Sequence, residues 1–320
     1  HRKTTPAEWN KEYIKNLEAS GKEKFKEKNT KIAIPESISK IPNKIKQLRT
    51  YFVRDVLSKL TNKQYMVINM LEAPALAAIL AFFVKFFDSE KETGYIFKES
   101  ENLPQYLFIS VVVSLFLGLT VSAEEIIKDK KILKRESFLN LSKGSYLFSK
   151  ISIMFIISAI QSILFVLVGN LILEIKGMWL EYWIVLFSLS CFANVLGLNI
   201  SASFNSAKVI YILIPILIIP QLLFSGIIVK FDNLNPLFAS KDSVPWVGNV
   251  MASRWAYEGL AVTQYTNNEF EKNFFESKQM ESFSKFKTSY YLAEIEKRVD
   301  LITINGKNPE KQKEAHPVLL

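Results

Sequence analysis

The sequence predicts an all-α integral membrane protein, and three observations carry that prediction. Four windows, 102–123, 151–173, 182–207 and 209–229, contain no Asp, Glu, Lys or Arg. Each holds about 20 residues or more, the length a helix needs to cross a ~30 Å hydrocarbon core. A fifth segment, 66–87, is nearly as apolar and carries only Glu72 and Lys85. The connecting segments alternate between basic and acidic, as loops do on alternate sides of a bilayer.

Residues 1–40 are polar, rich in lysine and weakly periodic, and read as a basic cytoplasmic linker. Positive charge gathers at this end: residues 1–65 hold sixteen Lys or Arg against seven Asp or Glu, and the remainder balances at 24 each. The segment 41–65 is an amphipathic helix. Ile45, Leu48, Phe52, Val56, Leu57 and Leu60 recur at three- and four-residue steps among Lys44, Lys46, Arg49, Arg54, Lys59 and Lys63. Such a helix before a span suits the headgroup plane; a soluble helix packed on a partner is the alternative. Spans are predicted at about 66–87, 104–123, 147–173, 179–204 and 209–230. The loop 88–105 has two Lys against five acids and is expected outside. The loop 124–150 has seven Lys or Arg against four acids and is expected inside, with the N-terminus. The location expected is the cell (cytoplasmic or inner) membrane.

Helices in lipid associate by close packing of small residues. Three spans carry small residues at four-residue steps: Ala73, Ala77 and Ala81; Ser110, Ser114, Gly118 and Ser122; Ala193, Gly197 and Ser201. Each stripe is a flat surface for a neighbouring helix, within the chain or across a dimer. Gln161, Asn170, Asn194, Asn199 and Gln221 need partners in hydrocarbon. Pro215 and Pro220 favour a kink in the fifth span. Lys85 can snorkel, and Glu72 either lies at headgroup depth or faces the bundle.

Several chemistries have no residues to carry them. The sequence has no GxxxxGK[ST], HExxH, GxSxG or CxxC, and its two histidines, His1 and His316, lie in polar tails. The single cysteine, Cys191, sits in an apolar window as a small packing residue. No catalytic site, metal, cofactor or nucleic-acid partner is therefore expected for this chain, and a motor must come from elsewhere.

The loop 124–146 is charged yet carries Ile126, Ile127, Ile132, Leu133, Phe138, Leu139 and Leu141. Such a helix suits docking on a cytoplasmic partner; an interfacial loop that merely carries positive charge explains it equally well. Its motifs decide. Asp129-Lys130-Lys131, Arg135-Glu136 and Ser145-Tyr146-Leu147-Phe148-Ser149-Lys150 resemble the first intracellular loop of the ABC-2-type permease domain of G-type ABC exporters. Phe224-Ser225-Gly226-Ile227-Ile228-Val229 resembles that family's segment at the outer end of span five. Arg254-Trp255-Ala256-Tyr257-Glu258-Gly259-Leu260, followed by Asn268-Glu269-Phe270, resembles its re-entrant piece before span six. The resemblance covers residues 41–270.

The resemblance implies an ABC-2-type transmembrane domain (66–262), preceded by a connecting helix, with a coupling helix at 124–141 and a re-entrant piece at 246–262. Glu124, Asp129, Lys130, Lys131, Arg135 and Glu136 would take part in coupling to an ATPase domain, fused upstream or separate, which would hold ATP and Mg. Two membrane domains, as a homo- or heterodimer in lipid, would enclose a cavity touched by Ser114, Leu117, Ile218 and Ile219. Ile227 and Ile228 would form an apolar plug above it. The implied function is export of a hydrophobic or amphipathic substrate by alternating access; a non-transporting anchor or assembly subunit is the alternative. Five spans stand where the family has six. The polar segment 263–320 is expected to be extracytoplasmic, before a missing sixth span, with 290–299 able to form a helix. A start at His1 and an end at Pro317-Val318-Leu319-Leu320 prompt the expectation of a longer parent protein.

Overall fold

The computed structural model describes residues 5–18, 42–87, 95, 97, 100–137, 141–229, 231, 234–235 and 244–304, and every regular element among them is helical. The chain divides into two compact units, His1–Asn43 and Lys44–Leu320.

Among the described residues of the first unit, read from sequence as a linker, is the helix α1 (Pro6–Tyr13), continued by a wider turn at Ile14–Glu18. Its start is local chemistry that periodicity does not register. Pro6 occupies the first turn, where a missing N–H costs nothing. The Thr5 N–H donates to Glu8 Oε2 at 2.9 Å, as in a capping box. The rest of the linker, 19–41, lies outside the described residues.

The second unit opens with the amphipathic helix α2 (Lys44–Thr61), followed by the first long apolar helix, α3 (Lys63–Val84). Asn62 separates them by accepting the Tyr65 N–H on its side chain at 3.1 Å. Then come α4 (Leu103–Ser122), the short charged α5 (Glu125–Glu136), α6 (Lys143–Leu173) and α7 (Trp179–Ser203). Among the described residues, four helices are long and apolar enough to cross a membrane: α3, α4 with its continuation into α5, α6 and α7. The predicted fifth span is a shorter apolar helix, α8 (Ala207–Leu223), of 17 residues. At ~1.5 Å per residue it is roughly 25 Å long, at the short limit for a crossing. The prediction ran it to 230, but the chain leaves the helix at Phe224. Ser225 Oγ turns back to donate to Leu222 O at 2.6 Å, and Gly226 takes φ +81°, where a side chain is strained.

Beyond α8, α9 (Trp246–Val250) and α10 (Ala252–Asn267) meet at an extended Met251. Arg254 braces the break, donating to Asn249 Oδ1 at 2.7 Å and pairing with Glu258 at 2.9 Å. Ser253 ties the hairpin to α8, its N–H donating to Gln221 Oε1 at 3.1 Å and its Oγ to Gln221 O at 2.6 Å. The polar segment then forms α11 (Phe275–Phe286) and α12 (Leu292–Ile304), joined through Lys287–Tyr291. This helical run includes 290–299 and starts well before it. Lys285–Glu281 and Arg298–Glu294 pairs one turn apart support it where no apolar face is buried.

The packing uses the small-residue stripes. Ala73, Ala77 and Ala81 are fully buried on α3, which packs on α6. The stripes of α4 and α7 meet each other: a Cβ added at Gly118 would lie 2.7 Å from both Ala193 Cβ and Ser190 O, and one at Gly197 would lie 2.0 Å from Ser122 Oγ. Their contact is thus within the chain. Several buried polar side chains bond across this interior, as hydrocarbon favours, although neither side-chain amide atom of the buried Asn170 has a partner among the described residues. Ser114 Oγ donates to Leu186 O at 2.7 Å, Asn194 Nδ2 to Ser158 Oγ at 2.7 Å and Gln161 Nε2 to Asn69 O at 2.9 Å. Lys85, at the end of α3, pairs with Glu174 in the α6–α7 turn at 2.8 Å.

Candidate coupling site

The charged segment between α4 and α6 is attached to four helices through named side chains. On α2, Asp55 and Lys59 stand one turn apart; on α5, Glu125 and Asp129 do the same, so each pair shares a face. Lys150 lies on α6 one turn after Tyr146 and is 3% exposed. Its Nζ reaches Asp55 Oδ1 at 2.8 Å, Asp129 Oδ2 at 2.9 Å and Glu125 Oε2 at 3.1 Å. Lys59 Nζ meets the other Glu125 oxygen at 2.6 Å, and the Tyr146 hydroxyl donates to Asp129 Oδ2 at 2.9 Å. Three carboxylates and two ammonium groups thus interlock α2, α5 and α6. Such a cluster is stable only while complete, because each ion has given up water. α6 has 31 residues, more than a bilayer core requires, and the charged residues of its first turns, Lys143 and Lys150, precede its charge-free stretch 151–173.

Neutral contacts reinforce the joint. Gln47 Oε1 accepts the Ser142 N–H at 2.8 Å, and Ser145 Oγ donates to Lys44 O at 2.9 Å. The Tyr51 and Tyr146 rings meet edge to face with centroids 5.6 Å apart. Burial raises the Tyr51 hydroxyl above its ordinary pKa, and the Glu136 carboxylate adds to that. Arg54 pairs with Glu136 at 3.0 Å, at the solvent edge.

The opposite side of α5 holds α7 and α8. The first amides of a helix lack partners within it; here the Ile126 and Ile127 N–H groups donate to Ser201 Oγ at 2.9 and 3.1 Å. Lys130 Nζ closes the far end of α7, donating to Phe204 O at 2.6 Å and Asn205 Oδ1 at 2.8 Å. Glu124 accepts the Tyr211 hydroxyl from α8 at 2.5 Å and pairs with Lys128 at 2.8 Å.

The six predicted coupling residues therefore divide. Glu124, Asp129, Lys130 and Glu136 hold α5 to its neighbours, while Lys131 and Arg135 are exposed. The end of the predicted 124–141 helix differs: α5 stops at Glu136, and 138–140 lies outside the described residues. Sequence reasoning did not single out Asp55, Lys59, Glu125 or Lys150 for this site. The signal was available: Lys150 directly precedes a charge-free window, and two acids spaced four apart precede it on α5.

The predicted cavity residues are not gathered around one space in the single chain. Ser114 and Leu117 are buried against α7 and edge a void of 10 Å³. The small side chain that suited a cavity wall also suits a helix crossing, and the crossing uses it. Ile218 packs against the core from α8, while Ile219 is 52% exposed. Of the predicted plug, Ile227 is half-buried and Ile228 is 55% exposed, both in the turn after α8.

Comparison with known proteins agrees with this architecture. Over 175 residues, 52% of its length, the chain is 27% identical to the ABC transporter ATP-binding/permease protein Rv1747 of Mycobacterium tuberculosis, and the match spans 19% of that protein. Residues 46–265, from α2 through α10, match the ABC-2 type transporter family. Apolar helices of spanning length and this match over most of the chain make it a multi-pass membrane component of an ABC transporter, a member of the ABC-2 type transporter family.

Proposed function

We propose that this chain is the membrane domain of an ATP-driven exporter of the G-type group, moving a hydrophobic or amphipathic substrate by alternating access. The observation that carries the reading is the Lys150 cluster, which locks α5 to α2 and α6 while leaving Lys131 and Arg135 exposed on α5. A helix held this firmly on one side and charged on the other suits the receipt of force from a separate body. That body is an ATPase domain, fused or independent, which supplies ATP and Mg; the Mycobacterium tuberculosis relative is named as both ATP-binding and permease protein. The basic α2 and α5 then face the cytoplasm of the inner membrane, and α8 with its Ile227–Ile228 turn lines the path between two such domains. Catalysis resides in the ATPase domain.

The test is charge reversal on the exposed side of α5. Arg135→Glu in the transporter, reconstituted with its ATPase, is expected to leave ATP hydrolysis running while transport falls at least about tenfold, the result of losing one charge-assisted contact of roughly 1.5–3 kcal/mol. Transport unchanged by this substitution would remove α5 from the coupling path.

A further inference from the structure

At the end of α4 opposite α5, α4 and α10 flank an open cavity of 270 Å³. Its apolar walls are Phe97, Leu103, Leu107, Tyr257, Tyr265 and Phe270. Aromatic packing holds those walls: Tyr257 meets Phe108 edge to face at 6.2 Å, and Tyr265 meets Phe275 at 5.7 Å. Gln264 also lines the cavity and is only 7% exposed. The Tyr182 hydroxyl donates to Gln264 Oε1 at 2.5 Å, which fixes the amide and commits its oxygen. The amide nitrogen, Nε2, bonds nothing among the described residues. With its oxygen committed, this largely buried side chain at the cavity wall has only its amide N–H left to offer, which suits a ligand that brings an acceptor.

The rest of the polar lining narrows the choice. Glu271 is neutralised by Lys278, and Asn268 Oδ1 already accepts the Phe270 N–H at 3.0 Å. Among the described residues no lysine or arginine lines the cavity. An anion would find no countercharge among these residues and would meet the Glu271 carboxylate. The size is near the lower limit of small-molecule sites, about 300 Å³, where mostly apolar walls and a few polar groups are the rule. A ring or a short run of acyl chain fits it; a whole lipid does not.

We infer that this cavity binds the apolar end of a neutral amphipath whose carbonyl, ester or hydroxyl oxygen accepts a hydrogen bond from Gln264 Nε2. Such a ligand comes from the bilayer as an acyl ester, or passes through as transported cargo; the cargo source rests on the export reading above. Tyr182 is the positioning residue: its hydroxyl holds the amide so that the donor side stays available.

Photolabelling of the protein in proteoliposomes tests this without requiring ATP hydrolysis, so its failure is distinguishable from failure of the export reading. One arm carries a diazirine-bearing phosphatidylcholine in the bilayer; the other adds a diazirine-bearing monoacylglycerol from the aqueous side. The expected result is label on peptides spanning 103–107 and 257–270, reduced about fivefold in Gln264→Leu, the effect of one neutral hydrogen bond. Ala261→Phe, which fills the cavity and leaves the amide alone, is expected to remove the label too. Label from the phosphatidylcholine alone assigns the site to resident lipid, and displacement of that label by the monoacylglycerol assigns it to a passing amphipath. Label confined to other helices, or equal in the parent protein and both variants, overturns the inference.

Discussion

Replacing Lys150 with methionine tests the buried network at its centre. Methionine keeps an unbranched stem and removes the charge. The three carboxylates then retain one ammonium group, Lys59, which lies 2.6 Å from Glu125 but 4.0 Å from Asp55. Asp129 keeps only the Tyr146 hydroxyl from this cluster. Because the Lys150 side chain is 4% exposed, water cannot replace it. Removing one partner from a buried ion cluster costs roughly 3–5 kcal/mol. At roughly 2–4 °C per kcal/mol for a domain of this size, the melting temperature should fall by about 6–20 °C. Tryptophan fluorescence during thermal unfolding in nanodiscs measures it, with Lys131→Met as the exposed control, expected within about 0.5 kcal/mol of the parent. Adding Asp129→Asn to Lys150→Met removes one uncompensated carboxylate and should recover part of the loss. If Lys150→Met melts with Lys131→Met, the cluster does not bear on stability and the reasoning from burial fails.

Other substitutions separate packing, backbone and coupling effects. Gly118→Ala places its Cβ against Ala193 Cβ and the Ser190 backbone, forcing α4 and α7 apart, and should cost about 1–3 kcal/mol in the same assay; Gly144→Ala, whose Cβ meets nothing closer than 3.9 Å, should be neutral or stabilise by up to about 1 kcal/mol. Gly226→Ala combines φ +81° with a Cβ 2.7 Å from the Phe231 ring, and should lower the melting temperature and alter proteolysis after α8. Arg54→Glu and Glu136→Arg each break a pair at the solvent edge, so each alone should change stability by no more than about 1 kcal/mol. On the proposed function each alone uncouples transport from ATP hydrolysis, and the double swap restores it. Ile227→Ala with Ile228→Ala should raise substrate leak or basal ATP hydrolysis in the reconstituted transporter, whereas a non-transporting anchor would show neither change.

The elements that the sequence disclosed are those whose signal is one-dimensional. Length without charge located α4, α6 and α7, and length with only Glu72 and Lys85 located α3, because hydrocarbon demands a continuous apolar helix. Four-residue spacing located the small faces, but not which face meets which. Only the fold shows that Gly118 lies on Ala193 and Ser190, while α3, with its alanines buried, packs mainly on α6. The same limit explains the coupling site. Glu124 and Glu125 are neighbours of one type, yet about 100° of helix rotation separates their directions. One reaches α8 through Tyr211 and the other reaches Lys150 and Lys59. No pattern within 124–136 distinguishes them, since the choice is made by residues far along the chain, at 55, 59, 150 and 211. The α8 boundary was missed for a different reason: Phe224–Val229 is as apolar as a span, and its exit depends on one serine hydroxyl and one glycine dihedral.

These attachments also bear on how motion would travel under the proposed function. α4 and α7 approach so closely along their small faces that relative sliding would drive Cβ atoms and backbone into one another, so the pair moves as one body. α6 is bonded to that pair through Ser158, Ser190 and Asn194, and α2 is bonded to α6 through Lys150 and the Gln47–Ser142 link. Displacing α5 therefore carries α2, α6, α7 and α4 together, since every joint among them is buried or multiply bonded. α8 is held differently. Only Ile210 and Ile214 are buried among its described side chains, and its bond to α5 is the Tyr211–Glu124 hydrogen bond. α8, which carries Ile218, Ile219 and the turn with Ile227 and Ile228, is thus tied to α5 by one hydroxyl and to α10 by the Gln221–Ser253 bonds, so the Tyr211 hydroxyl is the bond that relays a push from α5. Tyr211→Phe deletes that hydroxyl and nothing else. It should leave the unfolding free energy within about 1.5 kcal/mol of the parent, the net worth of one hydrogen bond, while reducing transport relative to ATP hydrolysis. Equal loss of both activities, or of neither, would mean that α8 is driven from elsewhere.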